Sequence, residues 1–158
     1  MFSGIIENSA KVISFTRLKD YQLVLETDLK FTDIKKGSSV CCNGICLTVV
    51  SKKKHNRKIL LTFDVSKETL NCTNFNQIKK GDVLNIEKSL RVGDEISGHF
   101  VFGHVDDTSR LLSIKKVDGS YELRFKISKS LKGLVAKKGS VAINGISLTI
   151  NSIKNNSI

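Results

Sequence analysis

Two short polar pairs carry the clearest chemical potential in this 158-residue chain, Cys46 with Thr48 and Ser147 with Thr149. Residues two apart on a strand share a face, so each pair would present a thiol or hydroxyl beside a second hydroxyl. A Cys46 thiolate would be a nucleophile; the same spacing also fits a small buried thiol packed as an apolar residue. His99 and His104, two of only three histidines, lie in Gly98-His99-Phe100-Val101-Phe102-Gly103-His104-Val105. Imidazole changes charge near neutral pH, so either can shuttle protons; the alternative is a histidine that pins a linker. Five residues apart on an extended segment, they fall on opposite faces. No Cys-x-x-Cys accompanies them, so no metal is expected. His55, among the lysines of residues 52–58, reads as solvated.

The polar pairs belong to a duplication. Asn43-Gly44-Ile45-Cys46-Leu47-Thr48 returns as Asn144-Gly145-Ile146-Ser147-Leu148-Thr149, each preceded by a Lys-Gly-Ser stretch, Lys36-Gly37-Ser38 and Lys138-Gly139-Ser140, with one residue deleted in the second copy. Upstream, Gly4-Ile5-Ile6-Glu7-Asn8 answers Gly103-His104-Val105-Asp106-Asp107, and Tyr21-Gln22-Leu23 answers Tyr121-Glu122-Leu123. Three blocks in one order indicate a repeat. Boundaries at 1–97 and 98–158 follow. After its Asn-Gly block the first copy runs on to about residue 90, whereas the second reaches only Ile158; roughly 40 residues of an equal second copy are not present.

Short alternating, β-branched runs predict strands at 11–15, 22–26, 39–42, 45–50, 59–65, 83–87, 110–114, 122–127, 141–143 and 147–150. Asn43-Gly44 and Asn144-Gly145 accept the positive φ of a type I′ turn, so each block reads as a hairpin. Helix is scarce: one or two turns at 29–35 and 131–137, and a short helix after Ser66 as N-cap, with Thr69 near its third position. The lysines of 52–58 predict an exposed turn that discourages edge pairing. So many short strands point to an all-β chain of two closed barrels, because closure removes the edges.

The net charge is +11, from 26 Lys and Arg against 15 Asp and Glu. It arises in a Lys-rich chain without Trp and with few aromatics, which lacks the stacking platforms of a nucleic-acid-binding barrel. No nucleic-acid partner is expected. No apolar run approaches the length of a membrane span and no secretory signal opens the chain, so the expected setting is cytoplasmic, away from membranes. Cys41, Cys42, Cys46 and Cys72 are laid out poorly for disulfides and read as reduced thiols.

Five blocks together resemble the riboflavin synthase α-chain family: Met1-Phe2-Ser3-Gly4-Ile5-Ile6-Glu7, the Asn43 to Val49 block, Phe63-Asp64-Val65-Ser66-Lys67-Glu68-Thr69-Leu70, Ser97-Gly98-His99-Phe100-Val101-Phe102-Gly103-His104-Val105-Asp106, and the Asn144 to Thr149 block. The resemblance implies tandem six-stranded Greek-key barrels, the second incomplete in this chain, and dismutation of two 6,7-dimethyl-8-ribityllumazine molecules without cofactor or metal. One molecule gives a four-carbon unit to the other, yielding riboflavin and 5-amino-6-ribitylamino-uracil. It implies a homotrimer where the family's C-terminal helix is present, sites between subunits, and an association with lumazine synthase. The implied catalytic residues are Cys46, Thr48, His99, His104 and Ser147. The implied substrate contacts are Gly4, Ile5, Ile6, Cys46, Leu47, Thr48, Asp64, Val65, Ser66, Lys67, Glu68, Thr69, Gly103, His104, Val105, Lys138, Ser147, Leu148 and Thr149. Asn43 and Asn144 read as turn residues. The acceptor's nucleophile stays open among the Cys46 thiolate, a ribityl hydroxyl and water. Cys in one half-site and Ser in the other suggest assigned donor and acceptor roles. The rival reading is a lumazine- or flavin-binding protein without catalysis.

Overall fold

The computed structural model describes residues 1–17 and 21–158. The first repeat contributes β1 (Asn8–Arg17), β2 (Tyr21–Thr27), β3 (Ser39–Cys42), β4 (Ile45–His55), β5 (Lys58–Val65) and β6 (Val83–Lys88), joined in one closed barrel of order β1-β2-β5-β4-β3-β6. All neighbours are antiparallel. Alternation sets the two faces. Leu23, Leu25, Val40, Cys42, Leu47, Val49, Leu61, Phe63, Leu84 and Ile86 fill the interior. Cys41, Cys46, Thr48 and Glu87 are out of phase with that set and face outward. Beyond β5, helix α1 (Lys67–Cys72) begins where Ser66 accepts a hydrogen bond from the Thr69 amide at 3.0 Å.

The second repeat supplies two separate hairpins, β7 (Leu111–Val117) with β8 (Ser120–Phe125) and β9 (Ser140–Ile143) with β10 (Ile146–Thr149). In the first barrel β5 lies between β2 and β4, and β6 between β3 and β1. Their counterparts would bridge β8 to β10 and β9 to β7. The fifth strand is begun: Asn155 and Asn156 turn at φ 47° and 58°, and Ile158 exchanges both backbone hydrogen bonds with Phe125 at 2.8 and 3.0 Å. The six-stranded second barrel therefore stands incomplete within residues 1–158, with four strands and an open cleft lined by Tyr121, Leu123, Phe125, Val141 and Leu148.

Three expectations are corrected. Residues 52–58 are mostly strand, because β4 and β5 run to the two-residue turn Asn56-Arg57. Lys52 is not a free surface charge: its ammonium donates to the carbonyls of Phe31 (2.7 Å) and Ile34 (2.5 Å) and lies 3.8 Å from the Phe31 ring centroid. Residues 131–137 form turns without helix, whereas 29–35 hold a single helical turn, 3-10 at Phe31–Asp33, as expected. The structure also aligns the two Asn-Gly hairpins without a deletion. The Gly37 amide donates to Val49 O and the Lys138 amide to Ile150 O, so Lys138, at φ 67°, occupies the place of Gly37.

Candidate functional site

The two polar pairs open strands β4 and β10, immediately after matched turns. Asn43-Gly44 has φ of 46° and 87°, and Asn144-Gly145 has 48° and 82°, the left-handed values of a type I′ hairpin. The turn reading of both asparagines holds. Asn43 also ties its hairpin to β6 by accepting from the Asn85 amide at 2.7 Å. The hairpin tips meet: a Cβ on either Gly44 or Gly145 would stand 3.0 Å from the amide nitrogen of the other.

Each pair is covered by the opening segment of the other repeat. The Cys46 amide donates to Gly103 O at 2.8 Å, and the Ser147 amide donates to Gly4 O at 2.8 Å. Phe2 and Val101 bridge with two backbone bonds of 2.8 and 3.0 Å. Because these residues occupy matching repeat positions, these backbone contacts have an internal two-fold, in which contact i to j has its equivalent. The approach is close enough to require glycine. A Cβ on Gly103, at φ 80°, would lie 2.5 Å from Cys46 Cβ; one on Gly4, at φ 79°, would lie 2.7 Å from Ser147 Cβ.

The histidines fall in different half-sites. His99 Nδ1 is 2.7 Å from Ser147 Oγ, the hydrogen-bond direction depending on the ring tautomer. His104 follows Gly103 and is exposed beside the Cys46 half-site. Around Cys46, Thr48 is exposed and, by the register that pairs Val49 with Phe63, lies across from Asp64. Ser66, Lys67 and Glu68 are exposed at the start of α1, and Thr69 is half-buried with its hydroxyl 2.9 Å from that of Ser66. Leu47 and Val65 point into the barrel core, so only their backbone can face a ligand. Val105 packs on that core from outside. In the second half-site Ile5 is exposed, Ile6 and Leu148 are half-buried, and Thr149 and Lys138 are exposed. Sequence reasoning did not reach Glu87, a buried carboxylate beneath Ser3 and Gly4.

Thiol environment separates the cysteines. Burial, with the charges of Glu87 and Cys46 nearby, pushes Cys41 up to about 12 against one backbone hydrogen bond from Gly44. Burial also raises Cys42 well above the ordinary thiol value. Cys72 is raised because its thiol donates to Glu68 at 3.0 Å. Thiolate is the reactive form and must be reached by the reagent, so iodoacetamide at pH 8 should modify the partly exposed Cys46 and the exposed Cys72 in the folded protein, leaving Cys41 and Cys42 unlabelled until the protein unfolds. Peptide mass mapping reads the order; early labelling of Cys41 would contradict it.

The lumazine binding domain family matches residues 3–89 and 102–158, the same two repeats. Full-length relatives agree over nearly the whole chain. The riboflavin synthase of Buchnera aphidicola is 39% identical over 159 aligned residues, 99% of this chain and 74% of that protein. The chain belongs to the riboflavin synthase family. The family's enzymes from Chlamydia trachomatis and Escherichia coli are 41% and 33% identical, covering 98% and 97% of this chain and 73% and 71% of theirs. In fold, the chain is similar to LumP solved with riboflavin and with 6,7-dimethyl-8-(1′-D-ribityl) lumazine, at TM-scores of 0.84 and 0.81 and 21% identity. Each match covers 99% of this chain, with 84% and 83% of LumP. Family membership makes riboflavin synthase the function of this chain.

No helix of the described residues is long and apolar enough to cross a membrane.

Proposed function

We propose that this chain dismutates 6,7-dimethyl-8-ribityllumazine, holding one molecule against Cys46 and a second against Ser147. The observation that carries the reading is the crossed junction, in which each repeat's opening segment lies against the other repeat's polar pair. A reaction between two copies of one substrate needs two similar pockets in opposed roles, and holding both rings in attack geometry removes much of the entropic barrier. In the stretches Gly4 to Ile6 and Gly103 to Val105, where the Gly4 and Gly103 carbonyls are already engaged by Ser147 and Cys46, the backbone groups of Ile5, Ile6, His104 and Val105 are suited to a uracil-like ring edge. Asp64 to Thr69 frame the first pocket for the ribityl chain, with Lys138, Leu148 and Thr149 on the second.

The roles divide by chemistry. The C7 methyl of the donor lumazine is acidic because its anion delocalises into the ring. The His99–Ser147 contact at 2.7 Å supports this pair as the group that takes the methyl proton. The Cys46 half-site, with Thr48 and the exposed His104, receives the acceptor molecule, whose C7 is open to a nucleophile. Four carbons pass from donor to acceptor; the stripped donor leaves as 5-amino-6-ribitylamino-uracil. No cofactor or metal enters the scheme. The repeats divide at 97/98, and the working assembly is a cytoplasmic homotrimer where the family's C-terminal helix is present, in which the Cys46 half-site of one subunit faces the Ser147 half-site of another, with lumazine synthase as an associated partner.

The test is incubation of the chain with the lumazine alone. One riboflavin and one pyrimidine should appear for every two lumazines consumed, and Ser147→Ala should lower the rate about 100-fold, the usual scale for loss of an acid–base group. Bound lumazine should also protect Cys46 from alkylation. Saturable binding with no riboflavin would instead favour the non-catalytic lumazine- or flavin-binding reading, which the likeness in fold to LumP supports.

A further inference from the structure

Glu87, on β6 of the first barrel, is 2% exposed, and its carboxylate accepts three hydrogen bonds from one short segment. Ser3 N donates to Oε1 at 2.7 Å, Ser3 Oγ donates to Oε1 at 2.8 Å and Gly4 N donates to Oε2 at 3.0 Å. A buried carboxylate is costly unless its oxygens are satisfied, and here all three donors come from the chain's opening residues. The acid therefore acts as a clamp on Ser3-Gly4.

What the clamp holds is the second half-site. Ser3 O accepts from the His99 amide at 3.0 Å, and Gly4 O accepts from the Ser147 amide at 2.8 Å. Those are the two residues whose side chains meet at 2.7 Å. The fit allows little slack, since a Cβ on Gly98 would stand 2.0 Å from Ser3 O. The matching positions over the first half-site are Phe102 and Gly103, which have no side-chain clamp of this kind among the described residues. Cys46 is thus held by backbone alone, whereas the His99–Ser147 pair is held through a buried acid of the other repeat.

We infer that Glu87 is a positioning residue for the His99–Ser147 pair, fixing their contact through Ser3 and Gly4 without touching substrate. The inference rests on the reading of that pair as the proton-accepting half-site, but its first test needs no turnover. With only three histidines in the chain, histidine-selective NMR of the full chain resolves each ring. Glu87→Gln places an amide where three donors converge, and should shift the His99 signal while those of His55 and His104 stay. Ser3→Ala removes only the hydroxyl bond and should move His99 in the same direction by less, which preserves the test if Glu87→Gln does not fold. In the turnover assay Glu87→Gln should lower kcat about tenfold or more, the scale of a small misplacement, with KM little changed. An unmoved His99 signal in the folded variants, or joint movement of all three histidines, would overturn the inference. Failure of wild-type turnover with the selective His99 shift intact would instead count against the functional reading alone.

Discussion

Gly103→Ala should abolish detectable riboflavin formation while leaving the first barrel folded. The added methyl would lie 2.5 Å from Cys46 Cβ and 2.8 Å from the Cys46 nitrogen, at a backbone φ of 80°. Real Cβ contacts are not that short, and an L side chain at this φ adds its own strain. The Gly103 segment must withdraw, breaking the 2.8 Å bond from the Cys46 amide and carrying His104 and Val105 with it. A displacement near 1 Å in a positioning contact can lower a rate about 100-fold; loss of the contact altogether should exceed that. Gly119→Ala is the control, because nothing lies within 4 Å of a Cβ there and Gly119 has no positive φ. The assay is initial-rate riboflavin formation from the lumazine, with circular dichroism to show that both variants retain strand content. Equal rates for the two variants would mean that the crossed contact has no part in catalysis.

Phe63→Ala should cost about 3–5 kcal/mol of stability, the usual range for emptying a large core site, and a marginal domain loses much of its folded population at that cost. Phe63 is fully buried on β5, the strand that joins β2 to β4, and it pairs with Leu23 on one side and Val49 on the other. Its removal opens a cavity at the seam of the closed barrel. Leu112→Ala in β7 should cost well under 1 kcal/mol, since that side chain is already about half exposed, at 49%. Urea unfolding of the two variants measures the difference. Similar losses would show that the second repeat has a packed core comparable with that of the first, contrary to its open cleft.

Much of this architecture was legible in the residues. Asn-Gly within an apolar alternation fixes a hairpin, because few residues accept positive φ at two successive positions, and both turns took those values. Nine of the ten strands were foreseen within three residues at each end, β4 running five residues further than expected, since period-two alternation marks a half-buried strand. Ser66 capped its helix for the reason its hydroxyl suggests. What the sequence did not disclose is the crossing of residues 1–7 and 98–105 onto the opposite repeats. Those contacts run through backbone atoms and glycine, which leave no side-chain pattern. Glu87 was missed for a related reason: on the outward face of Leu84-Asn85-Ile86-Glu87 it looks like a surface carboxylate, and only the chain folded over it makes it buried. The lysines of β4 misled in the other direction. A run of charge suggests solvent, yet Lys52 reaches back to the carbonyls of Phe31 and Ile34.

In the proposed scheme the chain builds two pockets for one heterocycle, each from both repeats. Calorimetric titration of the unmodified chain with 6,7-dimethyl-8-ribityllumazine, in parallel with Gly4→Ala and Gly103→Ala, tests it most directly. Two equivalents should bind per chain, with each glycine variant losing one and the double variant losing both. A single equivalent lost identically in both variants, or two equivalents indifferent to either, would contradict it.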